Sequence, residues 1–337
     1  MTAFFPSAYF GVHFLLLKVA SAVGMGLVLK RADGKGIARL PVVRVNYAVA
    51  AVLAFACALA TNQTHISRPT ALLAVGTGVV FVAGLVFWAK AIEVAGLALS
   101  VVAMRLAIIL PVLASILVWR ERPTSLELVG SAVALMSLGL VLSDVRRAQE
   151  SERAERKDIR TSRNGAKGES VGTEVKPGTV PVVGHRHQGQ SRFSVAPAWL
   201  WLLGLFVVDG LVMLPAQIFR KELPSEENLP FQTVIFVAAF AVTTIVYYAQ
   251  RARVDQKSLV HGALLGVANL GNYLFLVLAL TVLPGIVVYP VIAAGEVALM
   301  AFAGVFVWRE RVGLRSWFGI GLAVIALVLI QVGRAAV

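Results

Sequence analysis

The sequence predicts an all-α integral membrane protein of ten transmembrane helices, arranged as two inverted five-helix repeats. Three observations predict it. First, the chain has 337 residues, 58% of them hydrophobic and only 15% charged, where soluble globular chains carry about a quarter charged residues. Second, the apolar residues come in long runs: 97–118 holds one charge, Arg105, and 285–307 holds one, Glu296. A run of about 18 or more nearly charge-free residues reads as a bilayer-spanning helix, whereas a β-barrel needs short alternating segments, which are missing here. Third, the pentapeptide VWRER occurs at Val118-Trp119-Arg120-Glu121-Arg122 and again, 189 residues later, at Val307-Trp308-Arg309-Glu310-Arg311.

The spans follow in order. Span 11–29 has no basic n-region before it, so it reads as a retained helix and not a cleavable signal. Span 42–60 opens near Asn46-Tyr47, after the breaker Asp33-Gly34-Lys35-Gly36. Span 71–92 follows Ser67-Arg68-Pro69 and carries Gly76, Gly78 and Gly84, small residues that let helices approach closely. Spans 97–118 and 126–142 flank the first VWRER. The second half supplies 197–219, 231–249, 259–280, 285–307 and 314–332, divided by Pro224-Ser225-Glu226-Glu227-Asn228 and by Leu283-Pro284-Gly285.

Between the halves the composition changes. Residues 144–195 are rich in Arg, Lys, Glu, Ser and Gly and nearly empty of large apolar side chains. Such a segment buries too little surface to offset its ordering entropy and reads as a disordered linker. The domains are therefore 1–143, a first five-helix repeat; 144–195, the linker; and 196–337, a second repeat. His185 and His187 in the linker read as solvated and not as metal ligands. A shift of 189 residues aligns Gly96 with Gly285, Trp119 with Trp308, Glu121 with Glu310 and Gly130 with Gly319. Five helices per half send the second half into the membrane from the opposite side. The two VWRER turns then fall on opposite faces: Trp anchors at the interface, Arg stays among head groups, and Glu holds a neighbouring Arg or caps the next helix's first turn.

At these residues the sequence resembles the drug/metabolite transporter superfamily, and within it the EamA-like ten-helix transporters. The resemblance rests on Leu110-Pro111-Val112, Trp119-Arg120-Glu121-Arg122-Pro123-Thr124 and Leu128-Val129-Gly130 in the first half. In the second it rests on Tyr289-Pro290, Trp308-Arg309-Glu310-Arg311 and Trp317-Phe318-Gly319. Lys30 and Asn46-Tyr47 add to it. It covers all but the linker, which departs from the family's compact pattern. The resemblance implies that the fourth and ninth helices line a central cavity.

Charged side chains in hydrocarbon cost several kcal/mol on most scales, so each one is a candidate for function. Arg105 and Glu296 occupy equivalent helices of the two halves and are expected to face one cavity as opposite charges, at the repeat interface where inverted-repeat transporters bind. Asp209, in span 197–219, is a second substrate or proton site, or pairs with Lys18. Lys18 is read as snorkelling to the surface. Asn269 and Asn272 are substrate contacts or inter-helix bonds, and Asn46 lines the pathway or sits at the interface. Pro111 and Pro290 offer bending between states. Lys90 and Glu93 pair locally.

The expected function is secondary active transport of a small polar or amphipathic metabolite by alternating access, with protons as an optional coupling ion. No ATP-binding phosphate loop, cofactor or metal site is expected, and no enzymatic activity; the single Cys57 excludes a disulfide framework. The alternatives are a lipid flippase, an integral-membrane enzyme on a lipid-linked substrate, and a non-transporting scaffold. The net charge of +13 would suggest nucleic acid in a soluble chain, but here Lys and Arg sit in loops beside lipid head groups. Partners are thus a small-molecule substrate and the bilayer, with a monomer or homodimer. The plasma (inner) membrane is the expected location. Loops and the adjoining helix ends on the linker's face hold 23 Lys and Arg against 6 on the other, which puts the linker in the cytoplasm and both termini outside. Ten-helix relatives are commonly expected to have both termini inside; the charge count points the other way.

Overall fold

The computed structural model describes residues 7–95, 97–137, 139, 140, 143, 198–250, 254–308 and 314–335. The linker with its two histidines, and Arg309, Glu310 and Arg311 of the second VWRER, lie outside the described residues. All the regular structure described is helical: α1 (Ser7–Gly34), α2 (Arg39–Ala60), α3 (Arg68–Ala95), α4 (Leu97–Leu106), α5 (Ile109–Leu117), α6 (Ser125–Ser137), α7 (Ala198–Glu222), α8 (Asn228–Ala249), α9 (Gln256–Val282), α10 (Gly285–Trp308) and α11 (Leu314–Ala335). Six of them, α1, α2, α3, α7, α8 and α9, are long and apolar enough to cross a membrane, and shorter apolar stretches lie in α4–α5, α6, α10 and α11. The chain is a multi-pass membrane protein.

One expected span is divided. The run 97–118 forms two helices with a turn at Ala107 and Ile108. Pro111 has no N–H to give the carbonyl of residue 107, and its ring crowds that carbonyl. The Ala107 oxygen instead accepts from the Leu110 N–H at 3.0 Å. Pro215 and Pro290, by contrast, sit inside continuous helices.

Local signals place the other ends. Gly36, at φ 66°, closes α1, with the Ile37 N–H reaching the Ala32 carbonyl at 3.0 Å; a left-handed residue just past a helix permits this bond. Asn62, at φ 55°, does the same for α2, with Gln63 N–H on the Ala58 carbonyl at 2.8 Å. Asp255 caps α9 by accepting from the Ser258 N–H at 2.9 Å. Thr124 and Glu127 form a reciprocal capping box at the start of α6, at 2.8 and 3.2 Å. Glu121, which the sequence offered as a cap for that helix or a partner for a neighbouring Arg, serves elsewhere.

The two halves of the chain pack mainly on each other. α9 lies against α1 and α2, α8 against α2 and α3, and α7 against α3, α4 and α5. α10 is central: its first ten residues, 285–294, are all buried, as expected of a helix that is apolar all round. Two helix crossings, α3 with α8 and α9 with α2, depend on missing side chains. A Cβ on Gly78 would stand 2.5 Å from the Ile235 carbonyl oxygen. One on Gly262 would meet Val45 at 2.5 Å and the Val42 oxygen at 2.9 Å, and one on Gly266 the Asn46 oxygen at 2.7 Å. Backbone cannot rotate away as a side chain can.

Gly76 faces open space, so the two neighbouring glycines of α3 should respond oppositely to alanine. Gly78→Ala should cost about 1–3 kcal/mol by overpacking. Gly76→Ala should be neutral or stabilise by up to about 1 kcal/mol through helix propensity. Thermal unfolding of the purified variants in detergent reads both.

Candidate functional site

Four helices bring charge to one level. Lys18 lies eleven residues from the start of α1, Asp209 eleven from the start of α7, and Glu296 eleven from the start of α10. At about 1.5 Å per residue that is roughly 16 Å, half the thickness of a bilayer core. Arg105 comes from the last turn of α4, beside the break that Pro111 imposes.

Glu296 binds two cations at once. Its Oε1 accepts from Lys18 Nζ, and its Oε2 accepts from Arg105 Nη1 at 2.9 Å. Lys18 is only 7% exposed, so it does not snorkel as the sequence reading had it; it turns inward. Asp209, half-buried, couples electrostatically to all three. The group therefore carries two formal positive and two formal negative charges. Its surroundings are apolar: Met104, Ile108, Met213, Leu276 and Ile292 line the same cavity, with Tyr289, whose hydroxyl donates to the Met213 carbonyl at 3.1 Å. Low-dielectric walls strengthen each charge pair and make an unpaired charge costly.

The cavity is small. About 60 Å³ is open to water-sized spheres, enough for about four waters and well below the roughly 300 Å³ at which metabolite pockets begin. The ion pairs occupy the space that a ligand would need.

One end of the cavity is plugged. Gln217 Nε2 donates to Ser115 Oγ at 2.6 Å, and Ser115 donates to the Pro111 carbonyl at 3.0 Å. Gly285 packs so closely on this pair that a Cβ would stand 2.5 Å from both side chains. Beyond the plug lies a polar vestibule of about 500 Å³, lined by Glu121, Arg122, Glu127, Arg220 and Lys221 among others. There the first VWRER turn clamps two helices. Trp119 donates to Glu222 at 3.0 Å, Glu121 pairs with Lys221 at 3.0 Å, and Glu121 Oε2 accepts the Ile286 N–H at 3.1 Å. Glu121 thus caps the first turn of α10, a helix from the other half. Arg120 sits in the left-handed region at φ 48° to make this turn.

The remaining predicted residues scatter. Asn269 donates to Asn46 at 3.2 Å, buried between α9 and α2; neither lines the cavity. Asn272 is half-buried, and its Oδ1 is shielded with no hydrogen bond among the described residues. Pro111 and Pro290 are buried beside the plug and the cavity. Lys90 and Glu93 pair at 2.7 Å on an exposed face. Sequence reasoning offered Lys18 only as an alternative partner of Asp209, not of Glu296, and did not single out Gln217 as a plug. Depth alone flagged the lysine, but the direction of its side chain has no sequence signal.

No protein-family model matches the chain. It is 23% identical over 318 residues to an uncharacterized protein of Haemophilus influenzae, across 92% of this chain and 94% of that one. A protein solved by crystallography shares the fold, with a TM-score of 0.64 over 95% of both chains at 13% identity.

Removing Glu296 alone leaves two cations without their carboxylate. Glu296→Ala should cost about 3–5 kcal/mol, and adding Lys18→Met to it should return part of that loss. A double-mutant cycle on thermal unfolding in detergent measures the coupling; purely additive effects would show that the lysine and the glutamate do not depend on each other.

Proposed function

We propose that the protein is a secondary transporter of a small metabolite, built as ten spans in two inverted repeats, with the Lys18–Glu296–Arg105 group and Asp209 as its substrate and coupling site. The observation that carries the reading is the sharing of one mid-depth carboxylate by two cations at the junction of the chain's halves. Intramembrane charge is expensive and is retained where it handles cargo or ions. The repeated VWRER motif and the resemblance to EamA-like drug/metabolite transporters support the same reading.

The chemistry suits alternating access. An anionic group of a substrate competes with Glu296 for Lys18 and Arg105. A proton delivered to Glu296 or Asp209 weakens the same contacts. Either event changes the partners of fixed charges on α1, α4, α7 and α10, and so gives two conformations different affinities for the ligand. That difference is what lets a ligand shift a conformational equilibrium. The vestibule at Glu121 is one access route, shut by the Gln217–Ser115 plug in the conformation described.

Arg105→Gln and Glu296→Gln should each lower flux about tenfold or more, the equivalent of one lost charge-assisted bond, while the protein still inserts in the membrane. Metabolite levels inside and outside cells with and without the gene identify the cargo, and uptake into proteoliposomes then measures the variants. Normal flux in both would overturn the assignment. A green fluorescent protein fused after Val337 should stay dark, because the charge count puts the C-terminus outside the cytoplasm; bright fluorescence would reverse the topology.

A further inference from the structure

A second chamber adjoins the charged cavity. It lies between α1, α10 and α11, holds about 250 Å³, and is almost wholly apolar; Leu15, Val19, Gly295, Ala298, Phe302 and Ala323 are among its lining residues. Its rim carries Leu16 and Val324, 50% and 56% exposed, so it opens sideways to where lipid chains run and not to water. It is lined by chain neighbours of the charged cavity's residues on α1 and α10. Val19 follows Lys18, and Gly295 precedes Glu296. These two wall residues touch: a Cβ on Gly295 would stand 3.1 Å from Val19. The Val19–Gly295 contact thus lies between the apolar slot and the Lys18–Glu296 pair.

We propose that this slot takes the alkyl tail of a single-chain amphiphile whose anionic head reaches Lys18 and Arg105, so that the cargo loads from the bilayer between α1 and α10. The inference rests on the transport reading and names its substrate class. Neither space suffices alone: the charged cavity admits a head group but no metabolite body, and the slot lacks a polar group to fix a head. Together they reach the size range of ligand pockets. At the same roughly 15 Å³ per water-sized group as in the charged cavity, the slot holds about 17 methylenes, the length of one long alkyl chain. The pairing of charges supplies the selectivity: an incoming carboxylate or phosphate replaces Glu296 as acceptor, whereas a neutral head strands both cations.

The test is photo-labelling of the purified full chain in lipid nanodiscs with a diazirine-bearing decanoate, with labelled peptides mapped by mass spectrometry. Labels should fall on α1, α10 and α11 around the slot. Unlabelled decanoate should compete about tenfold better than decanol or acetate. Arg105→Gln should erase the preference for decanoate over decanol. Ala298→Phe inside the slot and Val324→Trp at its rim should each reduce slot labelling, and the rim variant is exposed enough to fold if the inner one does not. Decanol competing as well as decanoate, or slot labelling unchanged by Val324→Trp, would overturn the proposal and leave an ordinary lipid-filled crevice. Binding is read without flux. Selective labelling with no measurable transport would sink the transporter reading and keep the site. Transport of a tail-less cargo with unselective labelling would do the reverse.

Discussion

One carboxylate serving two cations in a low-dielectric interior is the constraint on which the rest of this structure depends. Glu296 alone, Lys18 alone or Arg105 alone would be a heavy cost at mid-depth; joined, each meets a partner through a charge-assisted bond. Both bonds need direct contact, so the three helices that carry them have little freedom in register. α1, α4 and α10 must present positions 18, 105 and 296 at one level and on facing sides. Asp209 on α7 brings the formal charge of the group to zero, which helps a polar cluster persist among Met104, Ile108, Met213 and Leu276.

That register is held by close packing of small residues. In a membrane, apolar surface gains little from leaving lipid for protein, so close van der Waals fit carries helix association. Gly78, Gly262 and Gly266 let backbones meet across the two halves of the chain, and the Asn46–Asn269 bond lies in the same seam as Gly266. Each half would expose these seams without the other. Ser67 adds a cross-half tie at one end, donating from its N–H and hydroxyl to Glu227 at 3.1 and 2.9 Å.

What the sequence made legible follows from what a one-dimensional string encodes. Apolar length gave the helices, and the distance of a charge from a helix end gave its depth; Arg105, Asp209 and Glu296 were visible for that reason. Azimuth is not encoded in a helix that is apolar all round, so Lys18 was read as reaching outward when it reaches inward. The division between α4 and α5 was written in Pro111, yet the apolar run hid it, because hydropathy does not register a lost hydrogen bond. Thr124 and Glu127 have the spacing of a capping box, a local signal that the sequence does carry. That Glu121 caps α10, a helix 165 positions later in the chain, needs the fold to be seen.

The two ends of the first stretch of α10 are fastened to different things. Its first turn is held by Glu121, through the Ile286 N–H, and by the tight contact of Gly285 with Gln217 and Ser115. Further along, Glu296 is held by Lys18 and Arg105. Pro290 lies between them, and because it has no N–H the carbonyl of Ile286 loses its usual intrahelical bond. The residue whose amide is tied to the vestibule is therefore the one whose carbonyl is least tied to the helix beyond. A change at Glu121 can tilt the first turn without pulling directly on Glu296, and a change at Glu296 can move the longer part of α10 without breaking the vestibule clamp. Two ionic clamps on one helix, separated by a proline, can open one at a time, the independence that the proposed alternating access requires.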